Sequence, residues 1–193
     1  MGLSASTFAG WCAVTCIVGI ETPNGVVMGG DSFCGSVHMA ETIVGTKVAQ
    51  RAGWLFGVAG SSRVANLMEH VFKWPKPPRV LAEGDAVRLA RTMEKLLGKD
   101  ELSHETDKDD GQKGIAAEML IAARGRIYLV ASDLAVFRSS HGYMAIGCGA
   151  PYALGALAAL PATLPAKDRA LAALEAAGRH SSAVRGPFYV VEG

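Results

Sequence analysis

The order of the predicted elements is the feature that most restricts how this chain can fold. Runs of β-forming residues and amphipathic stretches with helical spacing occur in groups: strands, two helices, strands, two helices and a final strand. Strict alternation of strands and helices would favour a parallel sheet, whereas grouped elements favour antiparallel sheets with helices on their outer faces. We therefore predict an α+β fold with four layers, an αββα sandwich of two antiparallel sheets, each flanked by a helix pair. The 193 residues suffice for one such domain.

The clearest local signal is a hairpin in the first part of the chain. Residues 15–21 and 25–30 are rich in β-formers and flank Asn24-Gly25, a pair that tolerates the positive φ angles of a tight turn. The other segments are assigned from alternation, helical spacing and turn residues. Strands are predicted at 46–50, 54–59, 116–123, 126–131, 135–138, 143–147 and 187–191, and helices from about 61, at 84–97, at 150–160 and at 166–179. We expect the strands between 116 and 147 to form one meander.

Composition argues against several classes of function. The formal net charge of +1 gives no electrostatic reason to expect a nucleic acid or a membrane surface as partner. No apolar run reaches the length of a membrane span. The chain's cysteines, Cys12, Cys16, Cys34 and Cys148, form no CxxC pair, and its five histidines show no metal-ligand spacing. We therefore expect reduced thiols in a cytoplasmic protein, with no metal and no cofactor.

Four residues at the ends of predicted elements are candidates for chemistry. Thr15 begins a strand, Asp31 ends the next one, Lys47 lies in a later strand, and Gly60 lies at a strand-to-helix turn. Taken singly, each has an ordinary explanation: a β-former, a turn residue, a solvated charge and a sterically required glycine. Their combination and their intervals make them informative.

The motifs around these residues resemble those of a known family. Thr-Cys-Ile-Val-Gly at 15–19 and Gly-Val-Val-Met-Gly-Gly-Asp-Ser at 25–32 resemble the start of HslV peptidases and of catalytic proteasome β subunits. These proteins are N-terminal-nucleophile (Ntn) hydrolases. Asp31 and Lys47 follow Thr15 by sixteen and thirty-two residues, which are the family's intervals, and Gly60 lies in the expected strand-to-helix turn. The resemblance covers nearly the whole chain from residue 15.

The resemblance implies a threonine-type peptidase in which Thr15 is the first residue of the mature chain. A threonine hydroxyl needs a base, and a free α-amine, with an ordinary pKa near ~8, can act as one. Lys47 would favour the neutral amine and stabilise a developing alkoxide, while Asp31 would hold Lys47 in position. The Gly60 N–H would donate to the oxyanion. Cys148 occupies the place of a serine that supports the amine in the family.

This mechanism requires that residues 1–14 be absent from the mature chain, which leaves 15–193 as the Ntn hydrolase domain. The first fourteen residues are either a propeptide cleaved between Val14 and Thr15 or an over-extended reading frame in which the Val14 codon is the true start. They lack the positively charged region of a secretory signal. Both interpretations stay open at the level of sequence.

The resemblance also implies peptide or protein substrates, self-association into rings and an ATP-dependent unfoldase as a possible partner. Two alternatives differ from this interpretation. An Ntn amidohydrolase acting on a small amide would share the same site. A catalytically silent structural ring subunit is favoured by two departures from the family pattern, Cys148 in place of serine and Arg179 in place of aspartate.

Overall fold

Two antiparallel sheets form the centre of the molecule, in a computed structural model that describes residues 14–35, 40–100, 104–106 and 113–193. The first sheet consists, in spatial order, of β12 (Tyr143–Ile146), β1 (Ile17–Thr22), β2 (Gly25–Asp31) and β13 (Phe188–Glu192). The second consists of β11 (Val136–Phe137), β10 (Arg126–Val130), β9 (Ala117–Ala123), β6 (Trp54–Gly60) and β5 (Val48–Arg51). Two short hairpins pair β3 (Phe33–Gly35) with β4 (Ala40–Thr42), and β7 (His104–Thr106) with β8 (Lys113–Ile115).

Helices cover the outer face of each sheet. They are α1 (Ser62–Asn66), which continues as a π-helical turn (Leu67–Val71), α2 (Glu83–Leu97), α3 (Ala150–Ala159) and α4 (Ala166–His180). Residues of α1 and α2 share an apolar cluster with the second sheet, and residues of α3 and α4 share another with the first. A third cluster lies between the two sheets. The predicted αββα sandwich is confirmed.

The alternation of side chains along β1 shows how one strand serves two layers. Cys16, Val18 and Ile20 belong to the cluster under α3 and α4, whereas Ile17 belongs to the cluster between the sheets. Because successive strand residues point to opposite faces, Thr15 shares the inter-sheet side with Ile17. Sequence alternation predicts Cys16 on the face opposite Thr15, as a core residue, and its burial in the cluster under α3 and α4 confirms this.

The meander expected from 116 to 147 is wrong in its last strand. β9, β10 and β11 are antiparallel neighbours, but β12 leaves this sheet and pairs with β1 in the other one, with Ile17 opposite Ile146. β11 has only two residues and lies at the sheet edge, so little pairing holds the chain in that layer. Local alternation reports that a segment is a strand and does not report its partner.

The expectation of reduced thiols is wrong at Cys34, which is disulfide-bonded. Disulfide formation depends on the distance between two Cα atoms in the fold, which sequence spacing does not reveal. Residues 1–13, predicted to be a removable leader or extension, lie outside the described residues. In the described ranges, no helix combines the length and apolar character needed to cross a membrane.

Candidate active site

Thr15, Asp31 and Lys47 meet at one end of the space between the sheets. Lys47 Nζ lies 3.1 Å from Thr15 Oγ1 and 3.0 Å from Asp31 Oδ2, so the ammonium bridges hydroxyl and carboxylate. Thr15 is 1% exposed and Asp31 is fully buried. Thr15 precedes β1, Asp31 ends β2 and Lys47 immediately precedes β5, so the two sheets together build the cluster.

Asp31 is held by backbone donors as well as by the lysine. Its Oδ1 accepts a hydrogen bond from Cys16 N at 2.8 Å, and its Oδ2 accepts one from Phe33 N at 3.1 Å. Burial raises the pKa of Asp31, and the Lys47 charge and these donors oppose that shift. Burial likewise lowers the pKa of Lys47, and Asp31 opposes it. Three donors to one carboxylate favour the charged pair, which leaves an oriented ammonium at the hydroxyl.

The loop before α3 contacts the Thr15 backbone from the other side. Gly149 N donates to Thr15 O at 3.1 Å, and Gly147 has a φ of 86°. A side chain at position 147 would clash with that same carbonyl oxygen, so this position requires glycine for two independent reasons. Cys148, between the two glycines, is exposed, and its ionised form would lie near enough to raise the pKa of Lys47.

A cavity of about 480 Å³ opens beside the cluster and is bordered by Thr15, Lys47 and Gly60. Its size is typical of a ligand site. Gly60 ends β6, where the chain turns into α1, and has a φ of 117°. A Cβ at this position would lie 2.5 Å from Ala116 O. Both the backbone angle and the close approach of β9 therefore demand glycine here.

Replacing Gly60 by alanine is expected to lower the free energy of unfolding by about 2 kcal/mol, because the new Cβ meets backbone atoms and a strained φ. Urea denaturation provides the measurement. Gly155→Ala is the matched control: a Cβ there, inside α3, meets nothing within 4 Å. Gly155→Ala is expected to raise the free energy of unfolding by about 0.5–1 kcal/mol. Equal midpoints for the two variants would contradict the steric argument.

The carbonyl of Val14 completes the surroundings of Thr15. Thr15 Oγ1 donates a hydrogen bond to Val14 O at 2.7 Å, and Lys47 Nζ donates to the same oxygen. The hydroxyl and the ammonium therefore both face the peptide bond that precedes Thr15. While Val14 is attached, the Thr15 nitrogen is an amide and cannot accept a proton as a base.

Comparison with known proteins adds information at the level of structure. No protein-family model matches the sequence, and no curated protein does so either. BPH of Thiobacillus denitrificans, solved in complex with epoxomicin, has a TM-score of 0.76 at 20% identity, covering 92% of this chain and 98% of that one. HslV of Trypanosoma brucei has a TM-score of 0.65 at 19% identity, with the same coverage. This chain has the fold of a proteasome-type β subunit.

A further structure with this proteasome-type fold is the helical assembly of the Anbu complex from Pseudomonas aeruginosa. Its TM-score is 0.64 at 18% identity, and the match covers 93% of this chain and 81% of that one. The two departures that the sequence indicates lie at different places relative to the site. Cys148 is adjacent to it, whereas Arg179 is exposed near the end of α4. Within the described ranges, Arg179 is not a hydrogen-bond partner of Thr15, Asp31 or Lys47.

Several site features were missed by sequence reasoning. The Phe33 amide on Asp31 and the Val14 carbonyl are backbone groups, which sequence patterns do not single out. The cavity walls come from β5, β6 and α1 together, so their proximity depends on packing. In the described part of the chain, no group of histidine, cysteine, aspartate or glutamate side chains could hold a metal ion.

Proposed function

We propose that this chain is a threonine-type peptidase, an Ntn hydrolase whose nucleophile is Thr15 Oγ1. The observation that carries the proposal is the position of Lys47 Nζ, 3.1 Å from Thr15 Oγ1 and 3.0 Å from Asp31 Oδ2. A buried cation beside a hydroxyl stabilises negative charge on that oxygen, and it does so most strongly where water is excluded. The resemblance of the flanking motifs to HslV and proteasome β subunits supports the same assignment.

The reaction follows from these positions once Thr15 is the first residue. Its α-amine takes the hydroxyl proton, directly or through a water, while Oγ1 forms a bond to the substrate carbonyl carbon. Lys47 stabilises the charge on Oγ1, and the Gly60 N–H donates to the oxyanion. The C–N bond then breaks, the proton passes to the leaving amine, and the acyl group stays on Oγ1 as an ester. Water hydrolyses this ester and regenerates the hydroxyl.

We also propose that the active chain begins at Thr15. The contacts of the Val14 carbonyl support self-cleavage: Oγ1 attacks that carbonyl carbon, the Val14–Thr15 C–N bond breaks, and the nitrogen takes the proton. Lys47, which donates to Val14 O, would polarise the carbonyl. Water then hydrolyses the resulting ester and leaves a free amine on Thr15. Translation starting at the Val14 codon would deliver the same terminus after removal of the initiator residue.

Self-association is part of the proposal, with peptides or proteins as substrates. The Pseudomonas aeruginosa Anbu protein with this fold forms a helical assembly. In this chain α3 carries no charged residue, and its exposed positions include Tyr152 and Leu154, 44% and 37% exposed. An apolar outer helix face of this kind is typical of surfaces that another subunit covers. An unfoldase partner and a cytoplasmic location stay predictions from the resemblance.

Covalent labelling tests the proposal directly. Epoxomicin, the compound bound in the Thiobacillus denitrificans structure, and a β-lactone are incubated with a chain that begins at Thr15. Intact-mass and peptide mapping are expected to show one adduct on Thr15, together with hydrolysis of fluorogenic peptides. A chain that retains Val14 behind a blocked terminus is expected to lack the epoxyketone adduct, because that warhead requires the free amine as well as the hydroxyl.

Thr15→Ala, starting at the same position, is the control that should carry no adduct. The absence of any adduct on correctly trimmed wild-type chain would overturn the peptidase proposal and favour a silent structural subunit. Labelling by the β-lactone combined with hydrolysis of small amides only would favour the amidohydrolase instead. N-terminal analysis of the natively expressed protein decides whether Thr15 becomes the first residue.

A further inference from the structure

The backbone N–H of Gly60 points away from the neighbouring strand β9. The next residue, Ser61, donates its own N–H to Ala116 O on the β9 side at 2.8 Å. Because successive residues of an antiparallel strand hydrogen-bond to opposite sides, the Gly60 N–H is directed to the β5 side. β5 begins at Val48, opposite Gly57, and does not reach a position opposite Gly60. The Gly60 N–H therefore faces the cavity at this end of β5.

The side chain of Ser61 is not used to cap the helix that follows it. Ser61 occupies the N-cap position of α1, where a serine hydroxyl ordinarily accepts a hydrogen bond from a backbone N–H of the first turn. Among the described residues, the Ser61 hydroxyl has no hydrogen bond of that kind. Ser61 is half-buried and borders the cavity together with Gly60. Its hydroxyl can therefore donate to a group that enters the cavity.

An ion pair fixes the start of α1, two residues after Ser61. Arg63 Nε lies 2.6 Å from Asp100 Oδ2, and Arg63 Nη2 lies 2.8 Å from Asp100 Oδ1, so the guanidinium and the carboxylate form two parallel hydrogen bonds. The Arg63 side chain is 52% exposed, so the pair contributes little to stability. It does orient the first turn of α1. The turn at Gly60 and Ser61 is thus held by β9 on one side and by this pair on the other.

We propose that the Ser61 hydroxyl is a second hydrogen-bond donor to the oxyanion, beside the Gly60 N–H, and therefore a further catalytic residue. The inference rests on the peptidase function proposed above and extends its active site. As Thr15 Oγ1 bonds to the substrate carbonyl carbon, an electron pair of the C=O bond moves to the oxygen, which then carries the negative charge. Ser61 donates a hydrogen bond to that oxygen and keeps its proton. When the C–N bond breaks, the C=O bond forms again and both donors are unchanged.

Removing this hydroxyl tests its role. Ser61→Ala, in a chain that begins at Thr15, is expected to lower kcat for fluorogenic peptides by about a hundredfold, as for loss of one oxyanion donor. KM should stay within about threefold of wild type, because the hydrogen bond is made to charge that forms only in the transition state. Ser182→Ala removes an exposed hydroxyl after α4 and is the control. A kcat within about threefold of wild type in Ser61→Ala would overturn the proposal.

Two measurements distinguish a catalytic hydroxyl from a structural one. Ser61→Ala should leave the urea midpoint unchanged, because no capping hydrogen bond is lost. Ser61→Thr keeps a hydroxyl and should recover at least about tenfold of the kcat lost in Ser61→Ala. Equal kcat values for the alanine and threonine variants, or a fall in the urea midpoint that accounts for the lost activity, would overturn the catalytic role.

A peptide aldehyde probes the oxyanion position directly. The aldehyde carbon bonds to Thr15 Oγ1, the hydroxyl proton passes to the α-amine, and the former carbonyl oxygen occupies the place of the oxyanion. Ser61→Ala is expected to raise the inhibition constant of the aldehyde by at least about tenfold. The alcohol of the same peptide forms no such bond and is the matched control, with an unchanged inhibition constant. Equal changes for aldehyde and alcohol would show that Ser61 does not contact that oxygen.

Labelling separates failure of this inference from failure of the proposed function. Wild-type chain and Ser61→Ala are incubated with the β-lactone to completion, and the fraction labelled on Thr15 is measured by mass. If both label and both hydrolyse peptides at the same rate, the role of Ser61 is overturned and the peptidase function stands. If the wild-type chain neither labels nor hydrolyses, the peptidase function is overturned, and the role of Ser61 with it.

Discussion

Replacing Lys47 by methionine in a chain that begins at Thr15 is expected to lower kcat/KM for peptide hydrolysis by about a thousandfold. Lys47 Nζ is 3.1 Å from Thr15 Oγ1 and its side chain is 8% exposed, so its charge acts on that oxygen with little screening. Methionine keeps the length and loses the charge. Fluorogenic peptide assays measure the rate, and circular dichroism checks the fold.

Two further variants make the Lys47 result specific. Lys95→Met removes an exposed lysine from α2 and should leave kcat/KM unchanged. Lys47→Arg keeps the charge, but its planar guanidinium is not expected to restore the rate because it does not reproduce the point contacts of an ammonium. A Lys47→Met enzyme within tenfold of wild type would show that the ammonium does not stabilise the reacting oxygen.

Replacing Asp31 by alanine is expected to lower the free energy of unfolding by about 3–5 kcal/mol. The carboxylate is completely buried and accepts hydrogen bonds from Cys16 N, Phe33 N and Lys47 Nζ. Its removal leaves a buried ammonium without its counter-charge and two amides without their acceptor. Urea denaturation monitored by circular dichroism measures the change. Glu175→Ala, at an exposed position of α4, is the control, with an expected change within about 0.5 kcal/mol.

A double variant separates the charge from the packing. Adding Lys47→Met to Asp31→Ala removes the unpaired ammonium and should recover at least about 1 kcal/mol of the lost stability, because an isolated buried charge is the costliest part of the defect. The double variant should remain inactive. If Asp31→Ala alone costs less than about 1 kcal/mol, or if the second substitution adds its own full loss, the buried pair is not as strongly coupled as its geometry indicates.

The position of Asp31 relative to Thr15 could be predicted from the local sequence. A two-residue turn before Gly25 sets the register of the β1–β2 hairpin, and in that register Asp31 comes beside Cys16, next to Thr15. Hairpin register depends on turn length and on which face is apolar, and both are visible in sequence. The hairpin and the helices were therefore placed correctly from residue patterns. The expected turn was wrong in detail, because Gly25 is the first residue of β2 and neither Asn24 nor Gly25 has a positive φ.

Lys47 illustrates what residue patterns could not supply. It precedes β5, at the edge of the other sheet, and reaches Thr15 only because the two sheets stack. The residues next to Lys47 in the sequence do not indicate that it is buried. It was singled out because it follows Thr15 by the interval found in the family that the sequence resembles. The exchange of β12 into the first sheet and the disulfide at Cys34 escaped prediction for the same reason, since both depend on long-range proximity.

Apart from Thr15, Lys47 and Gly60, the residues that line the cavity were beyond the reach of sequence analysis. Ala49, Ala65 and Glu69 come from a strand, a helix and a π-helical turn, and each is unremarkable in its own segment. An alanine shapes a cavity through the volume that it leaves empty, and that volume exists only between packed elements. The meeting of Thr15, Asp31 and Lys47 could thus be anticipated from the sequence, whereas the cavity beside them could not.

The position of β1 in its sheet has a consequence for Thr15, the proposed nucleophile. β1 is an interior strand, hydrogen-bonded to β12 on one side and to β2 on the other. Chain termini are ordinarily mobile, and a reactive group on a fraying end would have to be immobilised anew in every turnover. Here the entropy of ordering that group is lost once, when the sheet assembles. In the proposed reaction, each arriving substrate would then meet a hydroxyl whose orientation is already set.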